Sequence, residues 1–183
     1  PTMGENVALI AACVIGVAIL AMIVVSLVRY KGMGLAHVFG FLTYALALIL
    51  CISLIEGIIV NIAGLLAIVL SAAVMCGFNY YAFRNIRDEF NRGKTLTAAI
   101  KSGYKKSLAL TIDAHIVLFL ASLVVYLIAL GSAQYMALIF MLGTVLSAAC
   151  TLAVTRFYFY MFLAQPKNKI AFCNFKREET EDE

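Results

Sequence analysis

The sequence predicts an all-α fold, a polytopic membrane bundle of five transmembrane helices. Of the 183 residues, 64% are hydrophobic and only 13% are charged, so a soluble globule would lack the polar surface to cover itself. Five continuous apolar runs each come close to the roughly 20 residues that a helix needs to cross the hydrocarbon core. The runs lack the period-two alternation of a membrane β-barrel, which leaves helices as the structure that satisfies their backbone groups in lipid.

The predicted helices follow one another with short connections, apart from one long loop. They lie at about residues 6–28, 35–55, 58–83, 107–130 and 135–163. The first run has no basic segment before it, so it differs from a cleaved signal peptide and counts as the first membrane helix. Residues 1–5 are expected to form a link on the outer side, and the helices together make a transmembrane domain over residues 6–163.

Basic residues gather on one side of the predicted bundle. They lie between the first and second helices, between the third and fourth, and after the fifth: Arg29, Lys31, Arg84, Arg87, Arg92, Lys94, Lys101, Lys105, Lys106, Lys167, Lys169, Lys176 and Arg177. The sequence of the opposite connections holds no Lys or Arg. Because cytoplasmic connections carry the excess of these residues, the N-terminus of the chain is predicted outside and its C-terminus in the cytoplasm.

The segments on the basic side are a long connection and a tail. Residues 84–106 are predicted as a cytoplasmic amphipathic loop, in which Gly93 ends an extension of the third helix and Thr95 caps a second short helix on the inner membrane surface. The charges of this loop either set the orientation of the chain across the membrane and attract membrane lipids, or they form a docking surface for a cytosolic partner. Residues 164–183 are predicted as a cytoplasmic tail, whose end, NFKREETEDE, is expected to be disordered and to bury nothing.

Polar side chains are predicted at nearly one depth in three different helices. With the inner boundary placed at the loop and at the end of the fifth helix, Asp113 lies about 9 Å deep, Arg156 about 10 Å and Asn79 about 7 Å. Charges at such depth are costly unless they pair or meet water, so Asp113 and Arg156 are candidates for an ion pair. His115 points about 200° away from Asp113 around the helix and faces a different neighbour. These four residues form the predicted proton relay or intramembrane polar layer.

Structural roles compete with proton transfer for members of this layer. In the structural interpretation, Asp113 bonds to a neighbouring Thr or Asn, and Arg156 extends towards the inner headgroups. For His115 a structural role is favoured over proton chemistry, because a neutral imidazole costs less to bury than a charge. For Asp113 and Arg156 both interpretations stay open on the sequence alone.

Other chemistry finds no support in the sequence. Four of the five cysteines lie inside apolar runs, and none has the spacing of a metal site or a disulfide framework. The GKT at residues 93–95 lacks the upstream glycine of a phosphate-binding loop, and the basic residues lack the interleaved aromatics of a nucleic-acid binder. No Ser/His/Asp, Cys/His or metal constellation appears, so no enzyme, cofactor, metal or nucleic-acid partner is expected.

Several short motifs resemble those of SecD, a family of protein-export membrane proteins related to the RND transporters. That family shows I-A-G at the start of its fourth helix, F-x-x-I-R-E-E at the exit, G-K-x-x-x-x-A-I-x-x-G-Y-K in the cytoplasmic loop, D-A-N in the next helix and T-R in the last. The matching stretches here are residues 62–64, 83–90, 93–105, 113–115 and 155–156. The opening PTMGENVAL is similar to the link that leaves the SecD ectodomain.

The resemblance implies an RND-like half bundle whose five helices are the second to sixth of SecD, with a first helix and an extracytoplasmic head before them. It implies an accessory subunit of the Sec translocase in the inner (cytoplasmic) membrane, with SecF, the SecYEG channel and the preprotein substrate as partners. Such a subunit would use the proton-motive force to help export preproteins after SecA has pushed them. The orientation given above, in contrast, comes from charge alone.

The chain departs from the family pattern in its third helix. Where the family has D-A-N, with an Asp thought to handle protons, this chain has Gly77, Phe78 and Asn79. In the second D-A-N, His115 replaces the Asn two residues after Asp113. Asp113, with His115, is then the deep titratable site of this chain, and proton coupling is expected to use the pseudo-symmetric SecF half.

Two other functions remain as alternatives. The helices also suit an RND-like half-transporter of lipid or drug, and a proton-inactive structural membrane subunit in which Asp113 and Arg156 form a static pair. Co-purification with SecF and SecYEG would favour the export role over lipid or drug transport. Restoration of activity by double charge reversal would favour the static pair.

Overall fold

The computed structural model of this chain describes residues 7–165, 168–173 and 175, and helices make up its regular structure there. Within these described residues, five spans are long and apolar enough to cross a membrane, which confirms the predicted fold class. The helices are α1 Val7–Tyr30, α2 Gly32–Leu54, α3 Ile62–Asn91, α4 Leu96–Ile128 and α5 Ser132–Ala149, then a π-helical turn over Cys150–Val154, α6 Thr155–Leu163 and the short α7 Lys169–Phe172. The fifth span combines α5, the π turn and α6.

The ends of α3 follow local signals in the sequence. Asn61 caps its start, since the side-chain oxygen accepts a hydrogen bond from the backbone N–H of Gly64 at 2.8 Å. After its other end, Gly93 has a φ of 91°, a left-handed conformation that glycine adopts without the clash of a Cβ. Thr95 occupies the N-cap position of α4, as expected, although its side chain makes no capping hydrogen bond.

The long connection is mostly helical, as the sequence predicts, but its second helix is continuous with the fourth membrane helix. Helices α3 and α4 extend into it from both sides, so the loop expected at residues 84–106 is a turn over residues 92–95. The expected short surface helix is the first part of α4. Its apolar residues Ala99 and Ile100 are buried in a cluster with Ile86 of α3, because the protein itself, and not the membrane surface, covers that face.

The closest helix packing involves α3, α4 and α5, whereas α2 packs on α6 and α1 lies beside α2. Two glycines, Gly103 and Gly143, permit the close packing of α3 with α4 and α5. At Gly103 of α4, an added Cβ would lie 2.6 Å from the Cα of Ile86 on α3. At Gly143 of α5, it would lie 2.5 Å from the Cβ of Ser71 on α3. Glycine at both positions lets the helix backbones approach closely, as is common between membrane helices.

Residues after α6 pack against the end of the bundle that carries the α3–α4 turn. Phe175 is buried, and its ring stacks on Phe90 of α3 with centroids 4.9 Å apart. Cys173 is buried, and the ring of Phe172 lies against Gly32. The expectation that NFKREETEDE buries nothing is therefore wrong at Phe175, because an aromatic ring can fill a gap even within a charged stretch. The expected disorder of residues 176–183 and the expected link at residues 1–5 lie outside the described residues.

Candidate functional site

A row of polar side chains follows one buried face of α4. Tyr104, Ser107, Thr111 and His115 are spaced three or four residues apart and are all buried, as residues on one face of a helix are. The Ser107 hydroxyl donates to main-chain carbonyls of the preceding turn at 3.1 Å, and the Thr111 hydroxyl donates to the Ser107 carbonyl at 2.8 Å. The helix backbone thus satisfies the hydroxyls of Ser107 and Thr111 in the middle of the row. The side chains at the two ends of the row, Tyr104 and His115, can contact other helices.

His115 ties α4 to α5 at the deep end of this row. Its Nδ1 lies 2.6 Å from the carbonyl of Thr111, and its Nε2 lies 2.9 Å from the hydroxyl of Ser147 on α5. Because a carbonyl only accepts, Nδ1 carries a proton, and in the neutral ring Nε2 accepts from the Ser147 hydroxyl. The same hydroxyl can turn to accept from a protonated Nε2. The site therefore accommodates the imidazole with or without its second proton.

Asn79 of α3 lies close to the level of His115. The ring of its neighbour Phe78 has its centroid 4.8 Å from that of His115. Asn79 is 2% exposed, and its amide nitrogen has no hydrogen-bond partner among the described residues. Gly77, which stands where the family pattern has an Asp, is exposed and has nothing within 4 Å of an added Cβ. This family position therefore faces out of the bundle.

Asp113 also faces out of the bundle. It is two residues from both Thr111 and His115, or about 200° around the helix, so the burial of those residues turns Asp113 away from α3 and α5. The Asp113 side chain is accordingly exposed in this chain. The structural interpretation, in which Asp113 bonds to a neighbouring Thr or Asn, is therefore not found within the described part of the chain.

Arg156 does not form an ion pair with Asp113, the pairing for which the sequence made the two residues candidates. Its guanidinium carbon lies 4.9 Å from the ring centroid of Tyr104 and 5.8 Å from that of Tyr160. Because Arg156 contacts Tyr104, it lies at the level of that residue. Tyr104 comes nine residues before Asp113 on α4, which is a distance of about 13 Å along the helix axis. The expectation of one common depth was wrong because it measured Arg156 from the end of its helix, and the helices on this side continue beyond the hydrocarbon.

His37 of α2 is a buried polar residue that the sequence analysis missed. It is fully buried, and neither ring nitrogen has a hydrogen-bond partner within the described residues. Its ring centroid lies 5.0 Å from that of Tyr80, whose hydroxyl forms a hydrogen bond with Ser26 of α1. Its position in the sequence could have indicated a buried polar residue, because His37 is one of two histidines in the chain and lies near the start of an apolar run.

Glu89 is a second residue that the sequence analysis did not single out. Its carboxylate lies 2.5 Å from the ammonium group of Lys94 and 3.9 Å from that of Lys106, and it accepts a hydrogen bond from the Ser102 hydroxyl at 3.0 Å. The Glu89 side chain is 7% exposed, whereas both lysine side chains are more than 40% exposed. The carboxylate therefore joins the end of α3 to the start of α4.

Comparison with known proteins identifies the family. No family model matches the chain. The protein translocase subunit SecD of Rhodothermus marinus is 33% identical over 128 residues, which are 67% of this chain and 21% of that protein. SecD of Escherichia coli is 26% identical over 158 residues, 85% of this chain and 25% of that protein. The crystal structure of SecDF, a translocon-associated membrane protein from Thermus thermophilus, matches with a TM-score of 0.80 and 25% identity over 90% of this chain. By sequence and by fold, the chain is a SecD membrane region.

The match to SecD confirms the resemblance seen in the short motifs. The relatives are named as protein translocase subunits, and the five apolar spans of the described residues support a membrane protein. The SecD relatives and the SecDF chain are much longer, since this chain spans 21% of the Rhodothermus protein and 23% of the SecDF chain. The match therefore concerns a limited part of each relative.

Proposed function

We propose that this chain acts as the SecD-type accessory subunit of the Sec protein translocase and helps to export preproteins across the inner (cytoplasmic) membrane. The proposal includes SecF, the SecYEG channel and the preprotein as partners, and an orientation with the N-terminus outside and the C-terminus in the cytoplasm. It is supported by the relatives named protein translocase subunit SecD, by the SecDF fold, and by the basic residues on one side of the bundle.

The exposed position of Asp113 is the observation that carries the proposal. Asp113 lies near the middle of α4, which runs from Leu96 to Ile128, and its side chain is exposed. A carboxylate that faced lipid at this depth would cost roughly 3 kcal/mol or more, so the face around it needs a protein or water-lined cover. The pseudo-symmetric SecF half is the proposed cover. The outward-facing, unfilled Gly77 on α3 leaves further room on the outside of this bundle for a partner side chain.

In the proposed mechanism, Asp113 is the proton-binding group of this half. Protonation removes its charge, and with it most of the cost of contact with an apolar surface, so the two halves can move against each other when the proton arrives. His115, with its Ser147 partner, is the second group on α4 able to hold a proton. Asn79 is proposed to line the same layer, and Arg156 to stand outside the relay because it lies about 13 Å away along α4.

Replacing Asp113 with Asn tests this role. The variant keeps the size of the side chain and removes its titration. In cells that depend on this protein for export, we expect preprotein export to lose its response to the proton-motive force. Asp88→Asn is the matched control, because it removes the same charge from a residue near the end of α3. If export by the Asp113→Asn protein responds to the proton-motive force as the wild type does, Asp113 has no part in the mechanism.

A different experiment tests the alternative in which Asp113 and Arg156 form a static pair. Because Arg156 contacts Tyr104 and not Asp113, exchanging the two charges is expected not to restore export. Recovery in the double reversal would support the structural subunit instead. Failure of the chain to co-purify with SecF and SecYEG, together with a lipid or drug export phenotype, would support the RND-like half-transporter.

A further inference from the structure

A small crevice opens between α4 and the last membrane span, beside Arg156. It encloses about 280 Å³ of space including its open mouth, and its inner end has room for about one water-sized group. The π turn forms part of one wall. Its polar lining consists of Tyr104, Ser107, Thr111, Thr151 and Arg156.

The crevice offers hydrogen-bond donors, but no carboxylate that would accept hydrogen bonds from them lies nearby in the described part of the chain. The hydroxyls of Ser107 and Thr111 already donate to main-chain carbonyls of α4. The hydroxyls of Tyr104 and Thr151 have no hydrogen-bond partner among the described residues, although these residues are only 8% and 4% exposed. No carboxylate from the described part of the chain lies within ion-pair distance of Arg156. Buried donors without acceptors cost free energy, so this lining fits a ligand that is negatively charged and rich in acceptor oxygens.

The end of the crevice at Tyr104 and Arg156 lies at the level of the lipid headgroups. Lys101 and Lys105 flank Tyr104 on α4, and both are exposed. Lysine ammonium groups avoid the hydrocarbon, so the apolar part of the membrane begins further along α4 than these residues. Arg156, which lies over Tyr104, is therefore at the polar boundary on the basic side of the protein. Tyr104 and Tyr160 are aromatic residues of the kind that is enriched at this boundary.

We propose that the crevice binds the phosphate group of a phospholipid in the leaflet on the basic side of the protein. Arg156 donates charge-assisted hydrogen bonds to the phosphate oxygens, and the hydroxyls of Tyr104 and Thr151 donate to the oxygen that enters the inner end. The acyl chains leave along Leu108, which is exposed on α4 on the hydrocarbon side of Tyr104. The exposed lysines of this part of α4, Lys101 and Lys105, favour a lipid with net negative charge, such as phosphatidylglycerol. The site is independent of the proposed export mechanism.

A thermal-shift titration of the purified chain in a neutral detergent tests the site. We expect phosphatidylglycerol to raise the apparent melting temperature of the wild type, and inorganic phosphate at the same concentration to have no effect. Arg156→Gln should weaken the apparent lipid affinity about tenfold or more, because it removes the charge-assisted bonds. Tyr104→Phe should weaken it about threefold and leave the melting temperature without lipid unchanged, since the ring remains. Arg84→Gln is the matched control, an exposed charge on the same side of the bundle.

The outcomes distinguish a bound lipid from free phosphate and from general charge attraction. Equal lipid affinity in the wild type, Arg156→Gln and Tyr104→Phe would overturn the proposal. So would a shift that inorganic phosphate reproduces, because the source of the phosphate would then not be a lipid. An equal loss in Arg84→Gln would reduce the effect to charge attraction at the membrane surface and also overturn it. If Arg156→Gln does not purify, Tyr104→Phe and Thr151→Val decide the result.

Discussion

Replacing Gly103 with Ala should push α3 and α4 apart at their closest approach. The new Cβ would lie 2.6 Å from the backbone nitrogen and Cα of Ile86, and as close to its side-chain Cγ1. Carbon atoms in contact are about 3.5–4.0 Å apart, so the helices must separate by about 1 Å. The backbone atoms of Ile86 cannot rotate away as a side chain can. Overpacking of this kind costs about 1–3 kcal/mol.

Gly77→Ala provides the matched control, because it also replaces a helical glycine and its new Cβ meets nothing within 4 Å. Both variants gain the same helix propensity, so the difference between them isolates the steric cost. For a chain of this length, 1 kcal/mol shifts the melting temperature by about 2–4 °C. We therefore expect Gly103→Ala to melt roughly 2–12 °C below Gly77→Ala.

The two variants and the wild type should be heated in the same detergent, and the remaining folded fraction measured by size-exclusion chromatography. Adding Ile86→Ala to Gly103→Ala should restore little of the lost stability, because the backbone contact remains. Equal melting of Gly103→Ala and Gly77→Ala would show that α3 and α4 are not held at this distance, and the close packing inferred from Gly103 would be wrong.

Two further changes probe the end of the bundle that carries the α3–α4 turn. Glu89→Gln keeps the side-chain size and removes the charge that holds two lysines and an arginine, so backbone hydrogen exchange in the turn should become faster, whereas Asp88→Asn should leave it unchanged. Phe175→Ala should destabilise the packed C-terminal segment by roughly 3 kcal/mol. Burial raises the pKa of the Cys173 thiol to about 12, so maleimide labels it slowly near neutral pH in a chain without other cysteines. Phe175→Ala should speed that labelling, and the control Phe157→Ala, which loses an exposed ring, should not.

The number and type of the membrane helices could be predicted from the sequence, and so could the helix ends at Gly93 and Thr95, but not the joining of the second short helix to α4 or its packing. Hydropathy marks where the hydrocarbon ends, and α3 and α4 continue past that point with charged residues on their outer faces. Ala99 and Ile100 are apolar residues of the predicted amphipathic loop. Whether they cover the membrane surface or pack on Ile86 depends on a helix crossing that one-dimensional patterns do not contain.

The polar residues of the site were predictable by type and by helix, but their partners were not. Asp113 and His115 had to face different neighbours because of helix geometry, and they do. The contact of Arg156 with Tyr104 depends on the relative height of two helices, and an error in one helix end moved Arg156 to the wrong level. Phe175 was missed for a different reason, since a single aromatic residue in a charged stretch has no periodicity to reveal its burial.

The π turn over Cys150–Val154 changes the phase of the last span. A π-helical turn accommodates one residue more than an α-helical turn, so side chains after it are rotated by about 100° relative to a continuous α-helix. A helical wheel drawn straight through the span would assign Arg156 to the wrong face. Deleting one residue from the turn would therefore rotate the guanidinium away from Tyr104, although both flanking helices would keep their own sequences. The extra residue of the π turn thus determines the direction in which Arg156 points.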